Sequence, residues 1–150
     1  MYQCCQSIRW GKVFLAGILF AIIATVIHSI ESFLTMNYYL MRDYFSVWSK
    51  VMMPSAGPPP TSFFITSILF SLITGVTLAI FYDLIKEKLA KTDLGKAICF
   101  TGMAITLATV FFTLPVYLLI NIPAGVLISW FASGVVIFLL SSLIFAKILK

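Results

Sequence analysis

Charge is what this sequence has least of. Only 10% of its 150 residues are charged, where a soluble domain carries about 25% because a water-facing surface needs ionic groups. So few charges cannot coat a folded sphere of this length, which excludes water as the solvent for most of the exterior. Histidine occurs once and cysteine three times. Three thiols exclude a disulfide framework, and adjacent Cys4 and Cys5 do not easily bond to each other. Free thiols are the simple reading, with lipidation of Cys4 or Cys5 the functional alternative in a eukaryotic host. With His28 alone, a zinc site lacks the three or four ligands it needs. Also missing are a Gly-rich phosphate loop, a nucleophile elbow and paired catalytic carboxylates. Neither a cofactor nor a metal is expected, and no reaction is indicated.

What is present in quantity is apolar: 61% of residues are hydrophobic and the mean hydropathy is +1.09. Four runs, about 13–33, 63–82, 97–120 and 124–148, are long enough for a hydrocarbon core of about 30 Å at 1.5 Å per residue. Backbone in lipid must satisfy its own hydrogen bonds, so such runs become helices. They do not alternate as barrel strands do. The expectation is an all-α membrane protein, one domain over 1–150, with four transmembrane helices in an antiparallel bundle. The first run is too long for a signal-peptide core of about 7–15 residues and is expected to remain.

The net charge of +5 does not suggest nucleic acid, because the basic residues sit in short flanks of the apolar runs. Arg9, Lys12, Lys86, Lys88, Lys91, Lys96, Lys147 and Lys150 share one side; Arg42 and Lys50 take the other. Basic loops stay in the cytoplasm, so both termini are expected there, in a bacterial inner membrane. Thiols on that side stay reduced.

Three connections differ in kind. Residues 83–96 are polar, with 83–89 continuing the second helix into water. Asn121-Ile122-Pro123 is a tight turn, and Pro115 is expected to kink the third span by removing a donor. On a helical wheel, 40–53 separates Val47, Tyr44, Trp48 and Phe45 from Arg42, Asp43, Ser46 and Lys50. That pattern predicts an amphipathic interfacial helix with Tyr44, Phe45 and Trp48 at headgroup depth. Pro54 to Pro60 then forms a stiff lead into the second span.

Helices in lipid associate through close packing and hydrogen bonds, and each span carries small residues at helical spacing. Gly17 and Ala21 mark the first span, Ser67, Ser71 and Gly75 the second, and Gly125, Ser129 and Ser133 the fourth. The third has Ala104 and Ala108 with Gly102. These stripes serve as seams within the bundle or contacts in a homo-oligomer.

One polar group stands out. Glu31 is the only acidic residue inside an apolar run, three residues after His28, with Asn37 beyond. Ionisable residues within spans are functional candidates, and this pair suits a proton, a cation or a ligand head group. Alternatively the pair is interfacial, hydrogen-bonded to Thr, Ser or Tyr, and fixes packing at the outer rim.

The order of parts resembles a group of four-helix integral membrane proteins of bacteria without an established activity. The likeness rests on Trp10-Gly11-Lys12-Val13, on Glu31-Ser32-Phe33 late in the first span, on the Pro-rich end of the first loop and on the basic stretch from Tyr82 to Lys88. It implies the same four-span fold and no particular chemistry. The function expected is a structural or accessory membrane component, whose partners are the lipid bilayer and a homo-oligomer or membrane complex. The alternative is a small transporter or ligand-binding protein using His28 and Glu31.

Overall fold

The computed structural model describes residues 8–55 and 58–150; Cys4, Cys5 and part of the Pro-rich lead lie outside them. Four helices are long and apolar enough to cross a membrane: Trp10–Leu34, Thr61–Lys88, Asp93–Leu119 and Ala124–Ile148. Among the described residues there is no strand. The fold is an all-α membrane bundle. Its α-helices are α1 (Trp10–Leu34), α2 (Met36–Tyr39), α3 (Thr61–Ile85), α4 (Asp93–Ala108), α5 (Leu114–Leu119) and α6 (Ala124–Ile148).

Local chemistry sets the boundaries. The Thr92 hydroxyl accepts a hydrogen bond from the Gly95 amide at 3.1 Å, an N-cap that starts α4 in the polar loop, before the apolar run. After Ile85 the chain tightens into a 3-10 turn over Lys86–Lys88. In the third span, Thr109–Thr113 is wound as a π-helix between α4 and α5. Pro115 cannot donate to the carbonyl of Phe111 and crowds it, and the wider turn absorbs the mismatch.

The helices pack in the order α3, α1, α6, α4, with α1 against α3 and α6, and α6 also against α4. The α1–α3 seam is closest at two glycines. A Cβ on Gly75 would lie 2.7 Å from the Gly17 carbonyl oxygen, and one on Gly17 would lie 2.5 Å from Val76. Only hydrogen fits there. Between α4 and α6, the Thr101 hydroxyl bonds the Ser142 hydroxyl at 3.0 Å.

The two ends of the bundle differ. At the terminal end, near Trp10, Ile85, Asp93 and Ile148, all four spans converge. Tyr82 of α3 meets Phe100 of α4 at 5.2 Å between ring centres and Phe145 of α6 at 5.9 Å. Val13 and Ala16 of α1 and Ala146 of α6 complete this core. Lys86 binds Asp83 at 2.8 Å and the Leu149 carbonyl at 2.5 Å, while Arg9 donates to the Lys150 main-chain oxygen. The outward surface is apolar, with Phe111, Leu118 and Leu119 more than three-quarters exposed. A soluble protein rarely exposes such contiguous apolar area; lipid is its natural solvent.

The first loop departs from the expected single helix over 40–53. Met41 is extended, Arg42–Val47 is a 3-10 helix, and Trp48 is extended again. A 3-10 turn stacks residues three apart on one side. Phe45 within that turn and Trp48 just after it pack with Tyr39, Trp130 and Met53 instead of spreading an apolar face along the membrane plane.

Candidate functional site

Glu31 lies late in α1 and is buried, at 6% exposure. Its Oε1 accepts hydrogen bonds from the hydroxyl of Thr35 at 2.9 Å and from that of Ser129 on α6 at 2.9 Å. The Thr35 hydroxyl is also 2.8 Å from the Glu31 carbonyl oxygen, so its proton is shared between them. A carboxylate in a span needs such donors, because lipid supplies none. The result is a polar clamp between α1 and α6.

Above the clamp lies an aromatic cap. The Trp130 indole donates to the Tyr39 hydroxyl at 2.9 Å. Trp48 lies 4.8 Å from Tyr39 and 6.4 Å from Trp130 between ring centres. Burial pushes the Tyr39 phenol above its ordinary range, with the Glu31 charge adding to the rise and the Trp130 and Thr35 hydrogen bonds opposing it. A phenol raised in this way stays neutral at physiological pH, so the cap does not titrate there through Tyr39. The Trp48 indole N–H is buried without a partner among the described residues.

His28 turns elsewhere. Three residues at 100° each put it about 60° round the helix from Glu31. As α1 is flanked by α3 and α6, that rotation takes the two side chains to different neighbours. Glu31 meets α6, whereas the exposed His28 lines a cavity of about 690 Å³ between α1, α3 and α6. Its imidazole makes no hydrogen bond among the described residues. The cavity walls include Phe20 and Ala24 of α1, Thr66, Ser67, Phe70, Ser71 and Thr74 of α3, and Gly134, Ile137 and Phe138 of α6; Ser49 and Val51 of the first loop also line it.

The remaining candidates scatter. Asn37 is exposed. Tyr44 and Phe45 are half-buried and Trp48 is buried. Gly17 and Gly75 meet across α1 and α3, and Ala21 is buried on α1. Ser67 and Ser71 line the cavity instead of a helix seam. A Cβ on Gly125 would lie 2.6 Å from the Tyr38 hydroxyl oxygen. The Ser133 hydroxyl bonds its own helix, at the Ser129 carbonyl, 2.9 Å away. Sequence reasoning did not single out Thr35, Tyr39 or Trp130. Thr35 carried a signal, being four residues after Glu31 and so on the same helix face; Trp130 carried none beyond its place early in the fourth span.

Among the described residues, no three His, Cys, Asp or Glu side chains gather as a metal set. No family model, curated protein or solved structure matches the chain. The site is therefore read from its own chemistry.

Proposed function

We propose that this protein is a multi-pass structural or accessory component of a membrane assembly, and that Glu31 belongs to its scaffold. On this reading the chain crosses a bacterial inner membrane four times, with both termini cytoplasmic, and acts in a homo-oligomer or with a membrane partner. The observation that carries it is the engagement of Glu31. Its carboxylate oxygen is taken by Thr35 and Ser129, an arrangement suited to joining α1 and α6. The basic residues flanking the terminal end support the orientation.

Purification in mild detergent tests the reading: a defined oligomer or a co-purifying membrane protein is expected, and a lone monomer contradicts it. Orientation is checked with reporter fusions, which should place both ends in the cytoplasm. The exposure of His28 to a cavity favours a second reading, a transporter or a ligand- or proton-binding protein using His28 and Glu31. Glu31→Gln keeps an acceptor oxygen for Ser129 and Thr35 but removes the ionisable group. The scaffold role predicts normal accumulation and assembly in that variant. Loss of proton-linked transport with intact expression would establish the second reading instead.

A further inference from the structure

The cavity between α3 and α6 lies outside the Glu31 clamp, and its shape restricts what fills it. Its volume of about 690 Å³ falls within the range of about 300–1,000 Å³ typical of small-molecule sites. Along α3 it runs from Phe63 to Thr74, which is about 17 Å at 1.5 Å per residue. That is roughly half of a hydrocarbon core of about 30 Å. Toward the terminal end the space closes, where Gly17 meets Gly75 and where Tyr82 meets Phe145. At the other end it meets the first loop, through Ser49 and Val51.

A membrane-crossing helix, whether from a partner or a second copy, runs the full thickness of the bilayer and would find this space along only half its length. A molecule confined to one leaflet fits. The lining also grades in polarity. His28, with no hydrogen bond among the described residues, and Ser49 lie toward the first loop. Phe20, Ile137 and Phe138 line the space beneath. Hydrogen-bond donors toward the membrane boundary with an apolar slot below match a phosphate head and its hydrocarbon tail.

We propose that this cavity holds one phospholipid of the leaflet on the first-loop side. One of its acyl chains lies between α3 and α6, and its phosphate accepts hydrogen bonds from the His28 imidazole and the Ser49 hydroxyl. Ser67 sits below these groups, where the ester carbonyls under a phosphate can accept its proton. The bound chain fills the gap that the splay of α3 leaves beside α6.

The test uses the full chain in nanodiscs containing phosphatidylglycerol with a diazirine midway along one acyl chain. After irradiation, adducts should concentrate on Ser71 and Phe138, above the level at Phe111 and Leu118 on the lipid-facing surface. After transfer to mild detergent, native mass spectrometry should find one phospholipid per chain. Gly134→Phe fills the cavity from a position with open space at its Cβ and should lower retained lipid by about tenfold or more, equivalent to 1.4 kcal/mol. His28→Ala should lower retention without moving the unfolding midpoint. Adducts no denser in the cavity than at Phe111, a wild-type protein free of lipid, or cavity adducts to a second polypeptide would each overturn the proposal. If Gly134→Phe fails to accumulate, the wild-type adduct map and the His28→Ala retention decide.

Discussion

The terminal half and the first-loop half of this bundle are built from the same apolar helices but held by different means. In the terminal half, Tyr82, Phe100 and Phe145 bring α3, α4 and α6 onto one aromatic core, with Val13 and Ala16 of α1 beside it. Lys86 and Arg9 then tie the chain near Leu149 and Lys150. In the first-loop half, α6 is joined to α1 by Glu31 and Ser129, while α3 stands across a cavity from α6. Lipid gives little drive for apolar surfaces to meet one another, so helices close only where side chains interlock or hydrogen-bond. Where α3 presents Phe64, Ile65 and Leu69, all exposed, lipid serves as well as a neighbouring helix.

Substitutions that break the difference should rank by half. Tyr82→Ala empties the terminal core at a residue only 1% exposed. It should cost about 3–5 kcal/mol, read as a large fall in the thermal midpoint in detergent. The matching truncation in the other half, Phe64→Ala, should leave that midpoint within about 0.5 kcal/mol of wild type. Gly75→Leu forces a side chain into the Gly17 backbone. A cost of about 1–3 kcal/mol or more is expected, with α1 and α3 separating in a cysteine cross-linking assay. Gly102→Ala, facing open space, should instead gain about 0.5–1 kcal/mol by the same thermal assay. Ser129→Ala removes one donor to Glu31 and should cost only about 0.6–1.7 kcal/mol, the range measured for hydrogen bonds between membrane helices. Its effect should largely vanish when Glu31 is already alanine, which a double-mutant cycle checks.

The spans were legible because unbroken apolar length is a strong signal; Gly17 and Gly75, read as small residues of their stripes, lie where a Cβ would meet the facing helix. The first loop was less so. Its wheel pattern assumed 3.6 residues per turn, whereas Arg42–Val47 winds as a 3-10 helix and Trp48 is extended after it, so Phe45 and Trp48 join the aromatic cluster instead. A local pattern could not disclose Trp130, which joins Tyr39 from 91 residues away. His28 and Glu31 were found as residues, but not the neighbours each would face. That depends on α1 lying between α3 and α6, a tertiary fact absent from the spacing. The cavity had no sequence signature either: Ser67 and Ser71 read as a packing stripe, and the same small side chains line the opening.

The contrast between an open and a closed half can be measured on the unmodified protein. A membrane-soluble diazirine reagent, photolysed in liposomes and followed by peptide mapping, labels side chains that the hydrocarbon phase can reach. Heavy labelling is expected at Phe70, Ser71 and Phe138, with Tyr82, Phe100 and Phe145 spared. Equal labelling of the two sets, or protection of both, would contradict a bundle closed at its terminal end and open between α3 and α6 at the other.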